Sequence, residues 1–201
     1  MNTEDLMKRN YVLLIDKSGS MSTVENGKSR WETAKESTFA LARKCSEFDQ
    51  DGIDVFFFNS SFKEYNNVTA EKAQDLFNHE EPMGGTDFVP VLKKAFENHF
   101  KQNDKPTTIL VITDGEPSDG LTAQKATAKL IVETSNKLEA DGDLSISFLQ
   151  VGSDPAAEKF LKTLDDDLQK AGAKFDIVDT KTFKELENMS IVDVLIASIN
   201  D

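Results

Sequence analysis

A single cysteine stands among 201 residues, so the chain has no internal disulfide framework. Basic residues are scarce as well: 23 Lys and Arg face 36 Asp and Glu, a formal net charge of −13. That deficit argues against nucleic acid, whose binding depends on neutralising phosphates, and against an anionic membrane surface. No apolar run approaches the roughly 20 residues needed to cross a bilayer. The opening "MNTEDLMKRN" is polar where a signal peptide would carry an apolar core. The expectation is therefore a cytoplasmic protein with no membrane and no nucleic-acid partner. Repeats, low-complexity tracts and linkers are missing too. One domain over residues 1–201 is expected, with a short polar extension at 1–9. Neither G-x-x-x-x-G-K-[ST] nor G-x-G-x-x-G occurs, which removes the phosphate loop and the dinucleotide fold from consideration.

What is present suits a soluble core. Hydrophobic residues make up 38%, and the 14 Phe make much of that core aromatic. Continuous apolar runs mark strands buried on both faces: "YVLLI" (11–15), "IDVFFF" (53–58), "TTILVITDG" (107–115), "LSISFLQVG" (144–152) and "FDIVD" (175–179). Segments of helical period lie between them. Ser29 and Glu32 form a capping box ahead of Trp31, Ala34, Thr38, Leu41, Cys45 and Phe48 at helical spacing. Further helices are expected around 70–78, after "GGTDF", over 121–140, from Pro155 to Ala171, and towards the end at "SIVDVLIASIN". "NSS" followed by "FKEY" reads as an antiparallel edge strand. The alternation predicts an α/β fold with a mainly parallel sheet, one antiparallel edge strand and helices on both faces.

Ligand sites of such sheets form beyond the carboxyl ends of strands where the strand order reverses. Two central strands here end in acids, Asp16 within "DKSGS" (16–20) and Asp114 within "ITDGEP" (112–117). Between them "GGTDF" (84–88) places Thr86 and Asp87 after a glycine turn. Three loops thus converge on Asp16, Ser18, Ser20, Thr86 and Asp114. All five side chains ligate through oxygen, which suits Mg²⁺ first, with Mn²⁺ or Ca²⁺ as alternatives, over zinc or copper. Helix N-termini aimed at the site repel a cation, so both carboxylates are needed to attract one. Hydroxyls add contacts without cancelling the ion's charge, leaving it able to take a carboxylate from a partner.

Each element alone has a plainer reading. D-x-S-x-S and "TDG" are ordinary turn chemistry, and Thr86 or Asp87 alone is a helix cap. An EF-hand loop starting at Asp16 fails at Met21 and Gly27, where glycine and glutamate are required. A metal-dependent phosphotransferase or phosphatase using Asp16 as nucleophile is the enzyme alternative. It demands a second acid where Ser18 stands, and a later Lys for phosphate. His79 and His99 read as surface histidines, Cys45 as a buried small hydrophobe, and "DGD" (141–143) as a turn. Ser22 reads as loop, and Lys17 as a cation beside the ion.

Together these motifs resemble the von Willebrand factor type A family and its metal-ion-dependent adhesion site, over about residues 10–200. The resemblance implies a Rossmann-like, doubly wound sheet. Ser18, Ser20 and Thr86 would touch the metal, with Asp16 and Asp114 acting directly or through water. It also implies metal-dependent protein binding through an Asp or Glu carboxylate of a partner, and no enzymatic activity. The chain is most similar to stand-alone intracellular members. Their relatives include partners of AAA+ ATPases and stress-response complexes. The resemblance further implies that the terminal helix, residues 190–200, shifts when the site is occupied.

Overall fold

The structure is a computed structural model that describes residues 6–48, 52–102, 104–186 and 188–199. Part of the expected N-terminal extension and the last two residues lie outside them. Residues 6–9 are not a loose flank. Leu6 is buried in the core, and its carbonyl accepts from the Tyr11 hydroxyl at 2.8 Å. Arg9 is buried too, donating to Thr108 Oγ1 at 2.7 Å and to the Thr107 carbonyl at 3.0 Å.

The apolar runs form strands as their composition demands. β1 (Asn10–Asp16), β4 (Ile53–Phe58), β6 (Thr107–Thr113) and β7 (Leu144–Gln150) are buried almost throughout. With β5 (Phe62–Val68) and β8 (Val178–Lys181) they make one six-stranded sheet in the order β5-β4-β1-β6-β7-β8. Within this sheet, among the described residues, the β4–β5 edge pair alone is antiparallel. β1 is central, and the chain leaves it first towards β4 and later returns on its other side as β6. The strand order therefore reverses between β1 and β6.

Helices cover both faces. α1 (Arg30–Phe48) and α2 (Ala70–Phe77) pack on one side, joined by α6 (Ile191–Ala197) through Val194 and Leu195. α3 (Phe88–Gln102), α4 (Gly120–Ser135) and α5 (Pro155–Asp166) pack on the other. Period-two alternation splits the triple phenylalanine accordingly. Phe57 faces α1 and α2, whereas Phe56 and Phe58 face α3. Phe58 meets Phe88 at 5.5 Å between ring centroids, and Phe57 meets Phe77 at 5.0 Å. Each such buried ring contributes roughly 1.5–3 kcal/mol through the water it sheds.

Several boundaries differ from the sequence expectation. α4 stops at Ser135 instead of continuing to 140, and the strand expected at 175–179 begins at Val178. One pair explains both. The Ser135 hydroxyl donates to the Phe175 carbonyl and accepts from its amide, both at 2.9 Å, holding Phe175 off the sheet. α5 ends at Asp166, short of Ala171. His99 is buried, not a surface residue, and its Nδ1 lies 2.9 Å from Thr107 Oγ1. The loop after Ser20 folds into a two-stranded hairpin, β2 (Val24–Glu25) and β3 (Lys28–Ser29). Asn26 and Gly27 turn it with φ of 54° and 82°, the pair of positive values that a two-residue hairpin turn requires.

Candidate metal centre

β1 delivers Asp16 to the carboxyl edge of the sheet, where its side chain is 0% exposed. One carboxylate oxygen accepts the Ser18 amide at 2.7 Å, the Asx-turn geometry that curls the chain back over the strand end. The other accepts the Thr113 hydroxyl at 2.6 Å from the neighbouring strand β6. Burial pushes Asp16 up to about 6; the Thr113 and Ser18 hydrogen bonds oppose this, and the nearby Asp114 adds to it.

Ser18 and Ser20 project from the same turn with their hydroxyl oxygens 3.1 Å apart. Ser20 Oγ in turn donates to Asp114 Oδ1 at 2.9 Å. Asp114 leaves the end of β6 as a buried residue, 1% exposed. Its second oxygen takes Nη1 of Arg30 at 2.7 Å.

Thr86 arrives by backbone stitching. The Gly19 amide donates to the Gly84 carbonyl at 2.9 Å, and the Met83 amide to the Lys17 carbonyl at 2.8 Å. On the other side the Ser118 hydroxyl accepts the Thr86 amide at 2.8 Å, and the Ser118 amide donates to the Thr86 carbonyl at 3.0 Å. The 84–86 turn is thereby clamped between the Asp16 loop and the Asp114 loop. Thr86 is buried at their junction.

All five residues singled out in the sequence thus reach one rim, at the reversal between β1 and β6. Among the described residues no group of three or more His, Cys, Asp or Glu side chains could hold a metal. Any cation here depends on hydroxyl oxygens beside two carboxylates. Their spacing fits a small hard ion. Octahedral Mg²⁺ with Mg–O of about 2.1 Å sets adjacent ligand oxygens about 3 Å apart. The Ser18–Ser20 and Ser20–Asp114 separations of 3.1 and 2.9 Å are hydrogen bonds of that same length, so one small ion could replace them without moving the oxygens far.

Neighbouring residues take clear roles. Lys17 does not sit beside the five oxygens as a free cation: its ammonium turns away to Glu80 at 2.6 Å. Asp87 accepts the Val89 amide at 3.1 Å and so caps α3, while Glu116 accepts from Gln124. Ser22 is exposed at the end of the turn. Sequence reasoning missed Thr113 and Arg30. Thr113 was visible as a lone hydroxyl closing an apolar strand. Arg30 was visible as a cation at a helix N-terminus, where the helix dipole disfavours it unless carboxylates compensate.

A mainly parallel sheet with one antiparallel edge, helices on both faces and oxygen-bearing side chains gathered at its reversal edge defines a doubly wound α/β domain. The family model for the von Willebrand factor type A domain matches residues 11–116, more than half of the chain, and the protein belongs to that family. No curated protein matches the sequence. Among solved structures it is similar to the PilB minor pilin of Streptococcus sanguinis, with 16% identity and a TM-score of 0.64. That match covers 93% of this chain and 60% of the pilin. A mutant of the same pilin gives 14% identity and a TM-score of 0.66, covering 92% of this chain and 60% of the pilin. The manganese-loaded TRAP protein of Plasmodium vivax gives 14% and 0.61, covering 96% of this chain and 75% of TRAP. At these identities the matches establish the fold, and the chain spans only about 60% of the pilin's length.

Proposed function

We propose that this chain is a metal-dependent protein-binding domain. Asp16, Ser18, Ser20, Thr86 and Asp114 would hold one divalent cation, Mg²⁺ first and Mn²⁺ or Ca²⁺ as alternatives. A cation bound there would supply a Lewis-acidic position for an Asp or Glu carboxylate of a partner protein. The observation that carries this reading is the gathering of the Ser18, Ser20 and Asp114 oxygens from two separate loops into one hydrogen-bonded cluster beside the buried Asp16. The manganese in the TRAP relative adds support. Asp16 orients the loop: with one oxygen on Ser18 and the other on Thr113, it fixes where the two serines point. Cytoplasmic location, a single domain over 1–201 and an AAA+ ATPase or stress-response partner belong to the same proposal. Among the described residues, no helix is long and apolar enough to cross a membrane.

The phosphotransferase alternative is less well supported. Such an enzyme needs a second acid beside the nucleophile, and that place is taken by Ser18, whose amide is bonded to Asp16. Lys17, the nearest ammonium in sequence, is committed to Glu80.

Affinity capture from lysate by wild type and Asp16→Ala, each with and without chelator, tests the proposal. A partner held only by wild type with metal present is expected. Equal retention in all four conditions would defeat the metal-dependent mechanism. Hydrolysis of a phosphomonoester, lost in Asp16→Asn, would instead favour the enzyme.

A further inference from the structure

Arg30 opens α1, where the helix's own N–H groups already concentrate positive charge, yet its side chain points into the candidate centre. Three contacts hold it there. Nη1 donates to Asp114 Oδ2 at 2.7 Å, Nε to Glu25 Oε1 at 2.9 Å, and Nη2 also meets Glu25. Glu25 comes from the β2–β3 hairpin and accepts the Ser153 hydroxyl at 3.3 Å, which ties the hairpin to the loop after β7. Gly152 completes the seat. Its φ is +80°, and a Cβ there would strike the guanidinium. The Arg30 side chain is 13% exposed and the Asp114 side chain 0%. A hairpin, a helix terminus and a left-handed glycine therefore converge to set one guanidinium against one carboxylate of the oxygen cluster.

The electrostatics of that placement conflict with metal binding. The candidate set holds two carboxylates, and Arg30 already neutralises one of them. A divalent ion reaching Asp114 would stand close to a fixed positive charge of the protein itself. We infer that Arg30 is a resident cation that competes with the divalent ion for Asp114, so that metal entry requires the guanidinium to withdraw from that carboxylate. This inference rests on the proposed metal site. Glu25 keeps hold of the guanidinium as it withdraws, because it bonds two of its nitrogens independently of Asp114. The groove that Arg30 lines together with Thr33 and Gln150 gives it room to move. The device lowers metal affinity in the resting protein and makes occupancy depend on the local cation concentration.

The test is Mn²⁺ binding to the purified chain, read by the EPR signal of free Mn²⁺. Wild type, Arg30→Gln and Lys28→Gln are compared. Lys28 is the neighbouring hairpin cation, paired with Glu36 away from Asp114. Removing Arg30 is expected to tighten Mn²⁺ binding at least about fivefold, the upper end for an exposed ion pair and a lower bound for one this buried, with Lys28→Gln close to wild type. Equal or weaker binding by Arg30→Gln overturns the inference while leaving the metal site standing. Equal tightening by both variants reduces the effect to general charge and also overturns it. No Mn²⁺ binding by wild type or Arg30→Gln removes the metal site itself. A second readout needs no variant: the Arg30 Nη–H resonances of wild type during Mg²⁺ titration, Nη1 being the nitrogen on Asp114. A saturable shift supports withdrawal from Asp114, and an unmoved resonance rejects it.

Discussion

Lys17 and Glu80 form an ion pair at 2.6 Å with side chains only 10% and 3% exposed, directly behind the Asp16 turn. Glu80 also takes Lys63 at 2.6 Å and the Tyr65 hydroxyl at 3.2 Å. Burial alone would raise its pKa, but the hydrogen bonds from Lys17 and Lys63 outweigh it and hold Glu80 below the usual carboxylate range. The pair anchors the segment that carries Thr86, because the Met83 amide binds the Lys17 carbonyl three residues further on. Glu80→Ala leaves a sealed ammonium without its counter-charge. A loss of about 3 kcal/mol in urea unfolding is expected. The double variant Lys17→Met, Glu80→Leu should recover most of it, since no buried charge is then stranded. A double variant as unstable as Glu80→Ala would refute this account.

Thr113 acts on the site through Asp16. Its hydroxyl donates to the carboxylate at 2.6 Å and accepts the Gly115 amide at 3.3 Å. Thr113→Val preserves shape and removes only those bonds. A stability loss of about 2 kcal/mol is expected, because Asp16 stays buried with one partner fewer. Mn²⁺ affinity should fall about tenfold, the usual effect of losing a group that orients a ligand. Calorimetric titration of the two proteins checks this, and unchanged affinity would remove Thr113 from the site.

Asp16 also predicts how stability depends on pH in chelator. Its folded-state value of about 6 lies above the ordinary aspartate value of 3.8, chiefly through burial. The folded protein therefore keeps this proton longer than the unfolded chain. Asp16 carries no penalty below pH 4, and its contribution is lost as pH rises from about 4 through 6. The full shift corresponds to on the order of 3 kcal/mol. Asp16→Asn removes the titration, so its stability relative to wild type should grow across that window and then level off. Urea unfolding at stepped pH measures the difference. A difference that stays flat from pH 4 to 7 contradicts the burial argument. Adding Mg²⁺ at pH 7.5 should close most of that gap. At about one hundred times Kd it stabilises wild type alone by about 2.7 kcal/mol.

The features legible in sequence are those written in one short stretch. Apolar runs gave the central strands, and D-x-S-x-S followed by "TDG" placed Asp16, Ser18, Ser20 and Asp114 at strand ends. The remaining features depend on side chains meeting across elements, which spacing along the chain does not record. Arg30 reaches Asp114 across 84 positions, and Lys17 reaches Glu80 across 63. The Ser135–Phe175 pair that shortens α4 and delays β8 is of the same kind. His99 is different, because the sequence did contain its answer. It continues the buried stripe Phe88, Val91, Leu92, Ala95 and Phe96 at helical spacing. A histidine on such a stripe is a core residue once Thr107 supplies a partner.

Two glycines of the site make opposite predictions. A Cβ on Gly85 would lie 2.7 Å from Ser118 Oγ and 3.2 Å from its Cβ. Ser118 is the residue that holds Thr86, through its hydroxyl at 2.8 Å and its amide at 3.0 Å. Gly85→Ala must therefore displace the clamp that sets Thr86 beside the Asp114 loop. A Cβ on Gly115, adjacent to Asp114, would meet nothing within 4 Å, and no positive φ constrains that position. Gly85→Ala should cost about 1–3 kcal/mol and weaken Mn²⁺ binding, whereas Gly115→Ala should stay within about 0.5 kcal/mol of wild type. Urea unfolding and Mn²⁺ titration of both variants decide it. If Gly85→Ala loses stability but binds Mn²⁺ as wild type does, Thr86 positioning contributes nothing to the ion, and the donor set contracts to Asp16, Ser18, Ser20 and Asp114.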